Sequence, residues 1–317
     1  LKDITALFDE YASEQVKGIM ESTEGRAIES VTFDGQMNAL PNVTVDTDGV
    51  HILNVRKDWL DEYGLEIPKT VDDVEEIGKV FAEKKPAGDQ TIPLSGRDKN
   101  GKLYCTFIES SNNSHGYDPV FSAYDVYPGY WLDNGDGSVS YGSLDDGMKT
   151  ALEKLNSWYE MGIIDPEIGT RDSAGEQVNA NNVGMWFGPW WSLGYGNGDS
   201  FVNDPTANWQ AYPIFSDDGK WNVHMKSVGT TSCMISADAS DDVAAAIIIM
   251  YNALVRDEGV FDTSVAIGWY PLRVVAAAAD EVEYEHTELA KVLAGETTAE
   301  DYNDPMSIYK LMYTDAQ

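Results

Sequence analysis

Apolar positions recur at helical spacing at the start of the chain, where Leu1, Ile4, Phe8 and Tyr11 fall on one face. Residues 31–40 then alternate around Asp34-Gly35, a pair that favours the left-handed turn of a hairpin. Residues 51–55 read as a strand, and residues 57–60 as the start of a short helix that Gly64 stops. Thr70, with Asp73 three residues on, forms a capping-box pattern. Val74, Ile77 and Phe81 line one side of the helix it opens, over 71–83. Residues 86–142 lose this periodicity and gather Gly, Asn, Asp, Ser and aromatic residues, the composition of loops. Helical spacing returns with Leu144, Met148, Leu152, Leu155 and Tyr159, capped by Ser143 and stopped by Gly162. Residues 182–192 hold an apolar strand ending in Gly188-Pro189-Trp190-Trp191. Residues 212–215, the turn Ser216-Asp217-Asp218-Gly219 and residues 221–223 read as a hairpin. An apolar helix over 241–256, capped by Ser240, and late helices over 287–293 and 305–313 complete the pattern. Strand and helix alternate, which predicts an α/β architecture.

Composition narrows the function. At roughly 150 residues per domain, 317 residues favour two domains. The 54 acidic against 21 basic residues give a charge of −33, which repels phosphate backbones and anionic lipid surfaces. Nucleic-acid binding is excluded on that ground. No apolar run reaches the ~18 residues of a membrane span. Cys105 and Cys233 form no C-x-x-C motif, so the chain is no disulfide scaffold, and a bridge between them stays open. His51, His115, His224 and His286 are never within four residues of one another, which excludes H-E-x-x-H and argues against a His-rich metal site. No P-loop, dinucleotide fingerprint or nucleophile elbow occurs, and no cofactor or metal is expected. In Asp133-Asn134-Gly135-Asp136-Gly137 a glycine takes the place of the third calcium ligand, so a turn is the better reading. The many carboxylates single out no pair for glycoside hydrolysis.

The aromatic residues carry more. The chain has nine Trp and seventeen Tyr, and several gather in segments broken by Gly and Pro: Tyr124, Tyr127, Tyr130 and Trp131; Trp186, Trp190 and Trp191; Trp269 and Tyr270. Trp59 and Trp158 stand at apolar helix positions and are expected in the core. Trp186 and Trp191 are read as core first, one of them pointing away, while Trp190 is balanced between core and ligand contact. Flat rings in loops beside Asn, Asp and Arg suit the apolar C–H faces and ringed hydroxyls of sugars.

Val31-Thr32-Phe33-Asp34-Gly35, Ala39-Leu40-Pro41-Asn42, the run from Val55-Arg56-Lys57-Asp58-Trp59 to Gly64-Leu65, and Pro68-Lys69-Thr70 resemble the extracellular solute-binding proteins, family 1, of bacterial ABC importers. The lipoprotein branch of Gram-positive bacteria, with maltodextrin-binding relatives, is most similar. Trp158-Tyr159-Glu160-Met161-Gly162 and Gly184-Met185-Trp186-Phe187-Gly188-Pro189-Trp190 support it. The resemblance implies an α/β, type II periplasmic-binding-protein-like fold, with two discontinuous lobes joined by hinge strands. Residues 1–48 would be part of lobe one, 49–225 lobe two, 226–285 the return to lobe one, and 286–317 C-terminal helices on lobe two. It implies a non-catalytic, monomeric receptor that captures an oligosaccharide by hinge closure and hands it to a membrane permease. The ligand contacts would be Trp190, Trp131, Tyr127, Asn112 and Asn113 from lobe two, and Asn42, Thr44, Trp269 and Arg273 from lobe one. The location would be extracellular, tethered through a lipid anchor not present in this chain. A glycoside-active enzyme and a carbohydrate-recognition module without transport are the alternatives. The family's opening βαβ section is not found after Leu1, so lobe one is expected to be incomplete. The loop that in relatives reads D-P-D-G-N-G is here Lys85-Pro86-Ala87-Gly88-Asp89, from which no calcium is expected.

Overall fold

A computed structural model describes residues 1–43, 49–106, 114–189, 191–193, 198–225, 231–258, 281–298 and 301. Among them, no helix is long and apolar enough to cross a membrane. Helices α1 (Thr5–Tyr11), α2 (Glu14–Ser22) and α3 (Arg26–Glu29) come first. The short strands β1 (Thr32–Phe33) and β2 (Gln36–Met37) form the expected hairpin. Its turn holds Asp34 at φ 53° and Gly35 at φ 79°, the two positive angles that an Asp-Gly pair tolerates best. After β3 (Ala39–Pro41), β4 (His51–Arg56) runs straight into α4 (Lys57–Tyr63), which Gly64 closes in the left-handed conformation.

Helix α5 (Val71–Lys84) has the capping box in full: the Thr70 hydroxyl accepts from the Asp73 amide, and Asp73 accepts from the Thr70 amide. Strand β5 (Ile92–Leu94), helix α6 (Asp118–Ala123) and the hairpin β6 (Trp131–Asp133) and β7 (Val139–Tyr141) are the short elements within the loop-like stretch. Helix α7 (Gly147–Glu160), α8 (Gly175–Asn179), β8 (Val183–Pro189), α9 (Gly198–Asn203) and β9 (Trp209–Tyr212) follow. Strand β10 (Ser232–Met234), α10 (Asp241–Glu258) and α11 (Glu281–Leu293) close the described chain. The expected helix over 305–313 lies outside the described residues.

Two expectations change. Ser143 does not cap α7: its hydroxyl accepts from the Gly129 amide, and Leu144 is 82% exposed in a turn before the helix. Residues 212–223 are not a hairpin. The turn at Ser216–Gly219 forms, but in its first arm Tyr212 ends β9, which pairs with β4, and Phe215 bridges Thr70 instead of residues 221–223. The second arm is described without strand structure and carries His224 inward.

The chain divides into two compact units, residues 1–47 with 227–317 and residues 48–226. In the first, β10 pairs antiparallel with β3, placing Cys233 opposite Leu40. Ile4, Val16, Ile19, Leu40, Ile248 and Tyr251 belong to its core, and the Tyr251 hydroxyl donates to Pro41 O at 2.6 Å. In the second, the sheet order is β5-β8-β4-β9, with β5 parallel to β8 and β4 antiparallel to both of its neighbours. Strand β8 is buried throughout: Met185 and Phe187 join the larger core with Phe81, Phe121 and Trp158, while Trp186 joins a smaller one with Val178 and Trp209. Trp59 and Trp158 are core residues as expected, and Trp186 is fully buried while Trp191 is half-buried.

Candidate functional site

Antiparallel pairing sets His51, the first residue of β4, opposite Pro189, the last of β8. That end of the second unit's sheet collects polar side chains from five separate segments. Asp118 opens α6, with Pro119 pre-set for the first turn behind it. Its Oδ1 accepts from the Cys105 amide and from Cys105 Sγ, both at 2.8 Å. His224 Nε2 stands 3.4 Å from the same oxygen and 3.3 Å from Cys105 Sγ. His51 Nδ1 stands 3.3 Å from Asp118 Oδ2. Behind His224, Tyr130 stacks on the imidazole with ring centres 5.1 Å apart, and its hydroxyl shares a hydrogen bond with Nδ1 at 3.1 Å.

The electrostatics are those of a buried group held by its neighbours. Burial disfavours the Asp118 anion, yet His51 and His224 outweigh it and keep the carboxyl well below its usual range. Burial first, and then the Asp118 charge, push the Cys105 thiol up, so the thiol is a donor to the carboxylate. Nearby, His115 stacks on Trp186 at 4.8 Å, and burial, followed by the Arg97 charge, brings its pKa down to about 3.

Of the residues expected to touch ligand, Trp131, Tyr127 and Asn42 are described. Trp131 is 64% exposed, its ring tilted against Tyr141 at 5.1 Å across the β6–β7 hairpin. Tyr127 is half-buried and donates to Asp125 Oδ1 at 3.1 Å; burial, then Asp125, raise its hydroxyl to about 12. Both lie on the loop that supplies Tyr130 to the polar cluster. Asn42, in the first unit, donates its amide to Thr231 O at 2.9 Å, and its buried Oδ1 has no partner among the described residues. Trp190, Asn112, Asn113, Thr44, Trp269 and Arg273 lie outside the described residues. Sequence reasoning missed His51, Cys105, Asp118, Tyr130 and His224 as a group, because no spacing links residues so far apart in the chain.

No family model matches the chain. Over 181 residues, 52% of the chain, it is 27% identical to the fructooligosaccharide ABC transporter substrate-binding protein FusA of Streptococcus pneumoniae. Over 110 residues, 33% of the chain, it is 30% identical to the polygalacturonan/rhamnogalacturonan-binding protein YtcQ of Bacillus subtilis. These matches take in 31% of FusA and 19% of YtcQ. An extracellular solute-binding protein from Bifidobacterium longum subsp. infantis superposes with a TM-score of 0.61 at 20% identity, over 85% of this chain and 54% of that one. The chain has the fold of an ABC-importer solute-binding protein. FusA in complex with kestose superposes on this solute-binding fold with a TM-score of 0.57 at 18% identity, over 80% of this chain and 52% of FusA. The expected type II periplasmic-binding-protein-like fold and the resemblance to solute-binding proteins therefore stand. The chain spans little more than half the length of those two structures.

Proposed function

We propose that this chain belongs to an extracellular receptor that binds an oligosaccharide without turnover and delivers it to a membrane ABC permease. The observation that carries this reading is the sequence likeness to FusA and YtcQ, the one named for a fructooligosaccharide transporter and the other for binding polygalacturonan and rhamnogalacturonan. The exposed ring of Trp131, braced by Tyr141, supports it, since a fixed flat ring covers a sugar face at small entropic cost. Tyr127, Asn42, Trp190, Asn112, Asn113, Thr44, Trp269 and Arg273 are the further ligand contacts in this reading. The receptor works as a monomer, and its hinge closes on the sugar because the ligand favours the closed form by differential affinity.

Thermal-shift screening of fructans, pectin fragments and other oligosaccharides, followed by calorimetry, tests the proposal. A raised melting temperature, saturable binding and recovery of unchanged ligand are expected. Release of reducing sugar during incubation would turn the assignment toward a glycoside-active enzyme. Binding of peptides with no sugar bound would sink the substrate class.

A further inference from the structure

We propose that His51, Cys105, Asp118 and His224 form a binding site for a zinc ion within the second unit. The donor set is two imidazoles, one thiol and one carboxylate. It matches tetrahedral zinc and is unlike the all-oxygen shells that calcium and magnesium take. The donor atoms of His51, Cys105 and Asp118 all lie within 4.8 Å of one another, and all three residues are buried. With zinc bonds of about 2.0–2.3 Å, the edges of a coordination tetrahedron measure roughly 3.3–3.6 Å. Two spacings about Asp118 Oδ1 fall there or just at its short end, His224 Nε2 to that oxygen at 3.4 Å and His224 Nε2 to Cys105 Sγ at 3.3 Å, while His51 Nδ1 lies 3.3 Å from the other carboxylate oxygen, Oδ2, and closes on the ion by a small shift. The Cys105 to Asp118 edge, a hydrogen bond at 2.8 Å, opens when the ion replaces the thiol proton, which leaves to solvent.

Two further observations point to a ligand. His51 is 4% exposed; its Nδ1 pairs only with the Asp118 carboxylate at 3.3 Å, and its buried Nε2 has no hydrogen-bond partner among the described residues. The Asp118 pair accounts for one ring nitrogen and leaves the ring short of a full set of partners, whereas a metal ion would engage the imidazole directly. Tyr130 meanwhile holds Nδ1 of His224, leaving Nε2 turned to Cys105 and Asp118, the outer-shell bond that fixes a ligating imidazole. The bound ion would tie together the start of β4, the segment before α6, α6 itself and the segment after β9.

The test uses the full chain, stripped with chelator and titrated with Zn²⁺ or Co²⁺. Equimolar uptake by elemental analysis is expected. The Co²⁺ form should show the visible bands of a tetrahedral ion together with a thiolate-to-metal charge-transfer band. Cys105→Ser should remove the charge-transfer band. His224→Gln should weaken binding, and Tyr130→Phe should weaken it by roughly 10–100-fold through the lost outer-shell bond. Cys233→Ser and His286→Gln, which alter a thiol and an imidazole outside the cluster, should leave uptake unchanged. An octahedral Co²⁺ spectrum without thiolate character in the unaltered chain overturns the proposal even where a variant fails to fold. Persistence of the charge-transfer band in folded Cys105→Ser overturns it equally.

Discussion

Tyr130 and Trp131 are adjacent in sequence and point opposite ways, as successive residues do where a strand begins. Tyr130 turns inward to His224, and Trp131 lays its ring on Tyr141 in solvent. Trp131→Ala is therefore expected to cost sugar affinity, by about 1.5–3 kcal/mol if the ring is fully covered by ligand. Its melting temperature without ligand should barely move, because an exposed ring leaves no cavity. Calorimetry with a fructan or pectin fragment checks the first part; unchanged affinity would remove Trp131 from the site. Composition alone picked out this loop, since aromatic rings between glycines and prolines have no helix face to pack on. It did not tell Tyr130 from Trp131, because that difference depends on which side of the hairpin the second unit's interior lies. The polar cluster was less legible still. Periodicity reports which residues share a face of one element, whereas His51, Cys105, Asp118 and His224 meet only after four segments converge.

Among the elements, α5 follows its sequence most closely, because everything that starts it is local. The capping box needs only Thr70 and Asp73, and Val74, Ile77 and Phe81 are buried as their spacing requires. Its partners are tertiary. Glu75 accepts from Trp158 Nε1 at 2.8 Å and pairs with Lys154 at 2.6 Å and Lys79 at 2.7 Å. Partial burial opposes the charge, but those three donors win and lower the carboxyl from 4.5 to about 2. Because the folded value lies below the ordinary one, the resulting stability is fully present above 4.5 and is lost as pH falls from 4.5 toward about 2. Glu75→Gln should lower the denaturation midpoint near neutral pH, with the gap to the unaltered protein closing through that acid window. Parallel acid limbs for the two proteins would contradict this. Gly78 shows the other side of the same helix. A Cβ built there would come 2.5 Å from Ile163 Cγ2, so the glycine permits close approach. Gly78→Ala should gain helix propensity yet destabilise overall by about 1–3 kcal/mol through overpacking, read from urea midpoints. Helix α7 was harder to bound, since the serine that looks like its cap serves Gly129 across the loop.

At the scale of the molecule, the two cysteines belong to different units and both are free. Both thiols should titrate in denaturant without reductant. In the native protein, half-buried Cys233 should react well before Cys105, which is buried and hydrogen-bonded to Asp118. Loss of both thiols from unreduced protein would contradict the unbridged state. The α/β class was readable because alternation of strand and helix patterns is a sum over many residues. The non-local sheet order β5-β8-β4-β9 was not, since no local signal states which strand lies beside which.

That interleaving orders events during synthesis. The second unit is one uninterrupted stretch, and all four strands of its sheet are available once β9 has been made. Strand β3 of the first unit waits for its partner β10, about 190 residues later, for roughly 10–40 s at about 5–20 residues per second. Over that interval Leu40 and Val43, both fully buried in the finished protein, are kept from stray pairing only by what already surrounds them. Strand β3 is thus made long before the partner it pairs with in the folded unit.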